Sequence, residues 1–464
     1  MNNSTQPSQP DEKQTLYAKH KVIHPRSTSG FFTNLRRLAV ISLLGLYYAV
    51  PWLMWDGRQA ILFDLPERKF YIFGLVFWPQ DAIYLTFLLS IAAFALFFFT
   101  TLAGRLWCGF ACPQTVWTEI FIWIERWVEG DRSQQIKLEK MSMNAYKLRI
   151  KATKHLLWIL FSLWTGYTFV GYFTPIHLLT QELLAFNTSG WETFWVFFYS
   201  FATYGNAGWL REQICIYMCP YARFQGAMFD RDTFVVAYDE KRGEPRGARK
   251  RNETKELGDC VDCSLCVQVC PTGIDIRDGQ QYQCITCTAC IDACDEVMTK
   301  LNRPTGLVGY TTENNLEGKK THVLRPRILI YGVLLLFFTI AIGYSISQRI
   351  PLALEIIRDR NMLFRETNEG LVENVYIVKL LNMDQREHTY QIKAEGIEGL
   401  KLELAQPDLK VPAGKVVDIP LSLRADPSKL SKRSVNVLIS VQSLDDQNIK
   451  VSRDSRFVGP LKTP

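Results

Sequence analysis

The alternation of apolar and polar positions divides the chain into three regimes. Residues 1–34 are largely polar, rich in Pro, Ser, Gln and Lys, and cannot bury a core, so a disordered cytoplasmic tail is expected there. They do not have the form of a signal peptide: the first apolar stretch starts near Leu38, and no small-residue cleavage site follows it. Apolar stretches then occur at Leu38–Trp55, Ala82–Leu102, His155–Phe173, Trp191–Gly208 and Ile328–Ser347. Each is read as a membrane span, since about 20 apolar residues cross about 30 Å of hydrocarbon. Trp52, Trp55, Trp78, Trp158, Tyr172, Trp191 and Trp209 mark their ends, as an interfacial aromatic belt requires. From residue 349 the period changes to two. The runs Val375–Leu380, Tyr390–Lys393, Leu400–Leu404, Val416–Leu423 and Val435–Val441 are separated by turn residues at Asn382–Asp384, Pro407–Asp408, Pro412–Gly414 and Asp445–Asp446. Short alternating strands of this kind predict an immunoglobulin-like β-sandwich, here without the cysteine pair of antibody domains.

Charge orients these elements. The net charge of +7 is mild and implies no nucleic-acid partner. Lys19, Lys21, Arg26, Arg36 and Arg37 precede the first span, loop 103–154 is rich in Lys and Arg, and loop 174–190 has neither. The positive-inside rule then places the N-terminus, loop 103–154 and segment 209–327 in the cytoplasm and the C-terminal sandwich outside. The basic run 241–251 reads as a solvated linker, with contact to anionic lipid as the sharper alternative.

The chemistry lies in the cysteines, all 12 of which fall between Cys108 and Cys294. Cys260, Cys263, Cys266 and Cys270 form a C-x2-C-x2-C-x3-C run ending at Pro271. Cys284, Cys287, Cys290 and Cys294 repeat it and are followed by Asp295. This is the spacing of a bacterial two-cluster ferredoxin, in which three close thiolates wrap one [4Fe-4S] cube and the fourth ligand crosses to the other. That rule assigns Cys260, Cys263, Cys266 and Cys294 to one cluster, and Cys284, Cys287, Cys290 and Cys270 to the second. Structural zinc and disulfides are the rivals; zinc ribbons place C-x2-C knuckles on separate hairpins, and the cytoplasm disfavours disulfides. The fold class expected is therefore multi-domain. It comprises a four-helix membrane domain over 35–210, a cytoplasmic segment 211–327 with an inserted α+β ferredoxin (core 255–300), a fifth transmembrane helix over 328–348, and the sandwich over 349–464.

A second motif is also duplicated. Arg105-Leu-Trp-Cys108-Gly-Phe-Ala-Cys112-Pro113 follows the second span, and Arg211-Glu-Gln-Ile-Cys215-Ile-Tyr-Met-Cys219-Pro220 follows the fourth. Each is C-x3-C-P, and the repeat is expected to gather four thiols at the membrane surface. After the first motif, Trp117, Ile120, Phe121, Ile124, Trp127 and Val128 trace one apolar helix face, with Glu119, Glu125, Arg126 and Glu129 off it. An interfacial helix is predicted, with Pro113 in its first turn and Cys112 at its N-terminus, where the dipole lowers a thiol pKa. The same holds for Cys219 before Pro220. Such thiols can bind Cu(I), cycle as a disulfide, hold zinc, ligate a third iron–sulfur centre, or lie buried and inert. His155 and His177 lie at opposite ends of one span and do not suit a haem; Met141 and Met143 read as loop surface, and Asp81 as a solvated cap.

Together the tandem ferredoxin runs, the twin C-x3-C-P motifs, the tract from Pro66 to Asp81 and Cys294-Asp-Glu-Val-Met resemble the FixG-type (CcoG) cytochrome c oxidase accessory proteins of bacteria. The resemblance covers nearly the whole chain. It implies the inner membrane, support of cbb3-type oxidase assembly, and reduction of Cu(II) to Cu(I) with copper at Cys108, Cys112, Cys215 and Cys219. The implied partners are a cytoplasmic electron donor, a copper-exporting ATPase and oxidase assembly factors; a homodimer stays open. Two rivals stand beside it: a quinol-dehydrogenase polyferredoxin subunit of a respiratory chain, and an assembly scaffold without redox turnover.

Overall fold

The computed structural model describes residues 22–248, 257–359, 362–404 and 408–460. Tail residues 1–21, Arg249, Lys250 and Arg251 of the basic run, and the turn residue Pro407 lie outside the described residues. The chain forms two compact units: one from the stretch up to Gly74 with Leu85–Phe337, the other from Leu75–Tyr84 with Phe338–Pro464.

Each apolar stretch is helical over most of its length, the first ending in a short strand at Met54–Trp55. The helices are α1 (Phe31–Ala49), α2 (Ala82–Ala103), α3 (Leu106–Phe110), α4 (Pro113–Glu129), α5 (Arg132–Lys140), α6 (Ala145–Val170), α7 (Ile176–Leu184), α8 (Gly190–Thr203) and α9 (Pro220–Ala227), with a last long helix at Pro326–Ser347. Two helices, Pro79–Ala103 and Pro326–Ser347, are long and apolar enough to cross a membrane. The expectation of five spans is corrected to two on that measure. Helix α1 carries Arg36 and Arg37 near its start, and α6 places Lys147, Arg149, Lys151 and Lys154 in its first half. Helix α8 has 14 residues, a rise of about 21 Å, and passes into a π-helical segment at Tyr204–Leu210. The two span candidates leave Leu85, Leu88, Leu89, Val333, Leu336 and Ile340 exposed. A helix apolar all round and uncovered by protein suits a hydrocarbon environment.

Helix α4 reverses its expected orientation. Val116, Phe121 and Ile122 are buried, but so are Glu119, Glu125 and Glu129, whereas Trp127 is 80% exposed. The acids are buried because each meets a cation from another element. Arg36 of α1 pairs with Glu119 at 3.2 Å. Arg211 and Lys154 reach Glu125 at 2.7 and 3.3 Å, and Lys154 also reaches Glu129 at 2.8 Å. The Lys154 ammonium and the Arg211 guanidinium both face the ring of Trp158, at 4.6 and 5.4 Å. An ionic core thus joins α1, α4, α6 and the chain entering the second C-x3-C-P motif.

The segment bearing the ferredoxin cysteines is framed by an antiparallel pair, Val235–Tyr238 with Val308–Thr311, and by helices Leu265–Gln268 and Ala289–Lys300. In the second unit, two antiparallel sheets form the sandwich. One runs in the order Lys401–Leu404, Val416–Ala425, Val372–Asn382, Leu352–Arg358; the other runs Leu409–Val411, His388–Glu395, Ser434–Ser443, Lys450–Val458. Alternate residues Val372, Tyr376, Val378 and Leu380 face Tyr390, Val437, Ile439 and Phe457 in one core, the period-two pattern seen in the sequence. Buried Asn374 ties the sheets by accepting from the Val458 N–H at 3.0 Å and donating to its carbonyl at 2.8 Å. Asp81 caps its helix through the Trp78 N–H at 3.1 Å, but it is not solvated: it pairs with Arg349 at 2.5 Å, both side chains nearly buried.

Candidate functional site

The ferredoxin cysteines line two adjoining cavities. Cys260, Cys263, Cys266 and Cys294 line one, with Val261, Leu265, Val297, Met298 and Leu307 in its apolar wall. Cys270, Cys284, Cys287 and Cys290 line another, with Ile274, Ile276 and Ile285, and Cys266 touches this cavity too. The backbone explains how such short runs converge. Asp262 and Ser264, on either side of Cys263, have φ of 53° and 56°; Thr286 and Thr288, on either side of Cys287, have 56° and 61°. Left-handed residues flanking the middle cysteine curl each run around one point and turn backbone N–H groups inward as an anion-binding concavity. The N–H groups of Val267, Thr286, Ala289 and Val308 favour the thiolates of Cys266, Cys284, Cys287 and Cys294. Burial nevertheless dominates, pushing Cys266 up to about 11, Cys287 and Cys294 to about 12, and Cys290 well above its ordinary value. Thiols so desolvated ionise only when a cation compensates them, which suits a metal cluster and not a free nucleophile. Four thiols per apolar cavity, backed by inward N–H groups, fit a [4Fe-4S] group in each.

Two of the C-x3-C-P thiols, Cys108 and Cys215, pack beside the second cavity. Cys108 is on α3, and Cys112 precedes α4 with Pro113 at the first helical position. Cys215 lies on a π-helical turn, Ile214–Met218, and Cys219 precedes α9 with Pro220 at its first position. The motifs are laced together. The Cys108 thiol donates to Gln225 of α9 at 3.0 Å, and Gln114 of α4 donates to the carbonyls of Asn206 and Arg211 at 2.9 and 3.1 Å. All four sulfurs lie near enough to interact electrostatically. Even so, among the described residues no three His, Cys, Asp or Glu side chains close on a single-ion site. Burial, then the neighbouring sulfur Cys112, pushes Cys108 up to about 12, and Cys215 likewise. The expectation of a lowered Cys112 is overturned: its thiol is raised, because desolvation outweighs the N–H groups of Thr115 and Gln114 at the helix start.

Cys108 and Cys215 pack on the apolar cluster that holds Val269, Ile285, Cys287 and Ala293. The contact is close enough to demand glycine at position 109, where a Cβ would lie 2.5 Å from the Thr286 carbonyl oxygen. Two arginines complete the junction. Arg36 interacts with Cys287 besides Glu119. Arg105, 2% exposed, donates to the carbonyls of Tyr282, Cys284 and Ala222. Sequence reasoning passed over these residues and the acids of α4. The visible signal was an arginine shortly before each motif, Arg105 and Arg211.

The family model for the 4Fe-4S dicluster domain matches residues 210–313, that for a 4Fe-4S binding domain matches 85–130, and that for the IG-like fold at the C-terminal of FixG matches 342–460. With the cysteine cavities, these matches define the class: an iron–sulfur electron-transfer protein of the ferredoxin type, ending in an immunoglobulin-like domain. Protein RdxB of Cereibacter sphaeroides is 43% identical over 84% of this chain and 85% of its own length. Nitrogen fixation protein FixG of Rhizobium meliloti is 39% identical over 84% of this chain and 82% of its own. The ferredoxin-type protein NapH of Escherichia coli is a more distant relative, 22% identical over 56% of this chain. The chain belongs to the FixG family.

Proposed function

We propose that the protein is anchored in the bacterial inner membrane and reduces Cu(II) to Cu(I) for assembly of a cbb3-type cytochrome c oxidase. The observation that carries this reading is the packing of Cys108 and Cys215 on the cluster that contains Cys287. It sets a thiol of each C-x3-C-P motif against the wall of a cysteine cavity.

In this reading Cys260, Cys263, Cys266 and Cys294 hold one [4Fe-4S] group, and Cys270, Cys284, Cys287 and Cys290 the other. Bound, each group supplies storage for one transferable electron. Cys108, Cys112, Cys215 and Cys219 receive copper as substrate, and their soft sulfur ligands favour Cu(I). The thiols must close around the ion, since they do not converge on a single-ion site beforehand. The balance is one electron per copper: Cu(II) gains it, and a cytoplasmic donor replaces it. Cu(I) then passes to a copper-exporting ATPase and to oxidase assembly factors. The cysteine-bearing segment faces the cytoplasm and the sandwich the periplasm. Replacing Cys108, Cys112, Cys215 and Cys219 by Ser should abolish copper reduction and leave the cluster absorbance. Reduction that survives in that variant overturns the site.

A quinol-dehydrogenase reading draws on one observation. A cleft is lined by His155, Trp158, Trp209, Lys154 and Arg211, a set able to stack and hydrogen-bond a quinone head group. Quinone-dependent reoxidation of the reduced protein that copper does not match would favour it.

A further inference from the structure

The two cysteine cavities are alike in their thiol ligands but unlike in charge. At the first, Arg277 lines the wall, and its charge is answered twice, by Asp275 at 2.7 Å and Asp262 at 2.5 Å. Asp275 and Asp295 add negative charge near Cys266 and Cys294. At the second, Arg36 is matched by Glu119 at 3.2 Å. Arg105 differs from all of these. It is almost fully buried, its hydrogen bonds go to carbonyls, its Nε has no partner, and no carboxylate among the described residues pairs with it. One of those carbonyls belongs to Cys284, at 3.3 Å. A buried cation without a counter-charge is unfavourable by itself. The groups positioned to answer it are sulfurs: those of Cys284, Cys108, Cys215 and Cys219 all interact with it.

We infer that Arg105 is a redox-positioning residue, whose uncompensated charge gives the [4Fe-4S] group at Cys270, Cys284, Cys287 and Cys290 a higher reduction potential than the group at Cys260, Cys263, Cys266 and Cys294. This rests on the reading that both cavities hold such groups. Reduction adds one negative charge, and a fixed cation in a dry, low-dielectric setting favours the state that carries it. The consequence is directional. Electrons collect at the centre next to Cys108 and Cys215, where copper is to be reduced.

The same arginine also clamps three backbone segments, so the test must separate charge from scaffolding. Full-length protein in detergent is titrated anaerobically between reduced and oxidised states. Visible absorbance and electron paramagnetic resonance follow the clusters, and iron content is measured in parallel. The wild type should titrate in two waves. Arg105→Gln should move the upper wave toward lower potential and leave the lower wave in place with iron retained. Arg105→Lys, which keeps the charge and loses the forked hydrogen bonds, should preserve most of the separation. Arg277→Gln should move only the lower wave. A single wild-type wave overturns the inference, as does an upper wave that Arg105→Gln leaves unmoved. Should Arg105→Gln lose iron, the Lys variant decides: retained separation supports the role of charge, and collapse with iron present overturns it. Wild-type protein without iron would instead refute the underlying cluster reading.

Discussion

Gly109→Ala tests the junction between the first C-x3-C-P motif and the second cysteine cavity. The added methyl would lie 2.5 Å from the Thr286 carbonyl oxygen and 2.9 Å from that of Ile285. A carbon–oxygen contact needs about 3.3 Å, so one backbone must retreat by roughly 0.8 Å. Neither side yields easily. Thr286 sits in a left-handed turn beside Cys287, and Arg105 ties the start of α3 to the carbonyls of Tyr282 and Cys284. Overpacking of this kind costs roughly 1–3 kcal/mol. If α3 moves to relieve it, Cys108 leaves the Cys287 wall by nearly an ångström, a misplacement that can slow a positioned reaction by up to about 100-fold. Stopped-flow reoxidation of reduced protein by Cu(II), read beside a denaturant melt, measures both effects. Gly45→Ala on α1 is the control: nothing lies within 4 Å of its added Cβ, so it should be neutral or slightly stabilising. Wild-type rate and stability in Gly109→Ala would refute the proposed packing and its role.

Glu125→Gln breaks the ion pairs to Arg211 and Lys154, whose side chains are at most 8% exposed, and should cost roughly 3–5 kcal/mol in a chemical melt. The same network sets an acid limit. Burial pushes Glu125 up, but Arg211 and Lys154 outweigh it and hold the carboxyl below its ordinary value. Its stabilisation is therefore complete above about pH 4.3 and is lost as pH falls through the lowered folded value; acid melts should show this loss in wild type and not in Glu125→Gln. In the sandwich, Asn374→Ala removes both bonds to Val458 and leaves that backbone buried and unsatisfied, so calorimetry of the full chain should show its transition lowered by roughly 1–3 kcal/mol.

Features written in local spacing were legible. The C-x2-C runs hold their own turns, so Cys260, Cys263 and Cys266 share one cavity and Cys284, Cys287 and Cys290 another by short-range geometry, whereas the placing of Cys270 and Cys294 depends on how the two runs pack. The sandwich was legible because burial alternates along Val372–Leu380 and Ser434–Ser443. Three edge strands were not: Leu352–Arg358 breaks the alternation with Ile356-Ile357, Lys450–Val458 is polar but for Val451 until Phe457, and Leu409–Val411 is only three residues long. Apolar content alone does not reveal that Lys151 and Lys154 of α6 serve a buried ionic core. The pairing of Glu125 with Arg211, 86 residues apart, leaves no periodic trace, so α4 was read with its charged side outward. For Cys112, the helix terminus was visible in the sequence, but the tertiary burial that overrides it was not.

In the proposed reaction, electrons held near Cys287 leave to copper at Cys108 and Cys215. The direct measurement reduces the purified full-length protein anaerobically and removes excess reductant. Cu(II) is then added, with Cu(I) followed by a selective chelator and cluster reoxidation followed in the visible. One Cu(I) should form for each electron lost from the clusters. Clusters that stay reduced in the presence of Cu(II), yet reoxidise with a quinone, would contradict it.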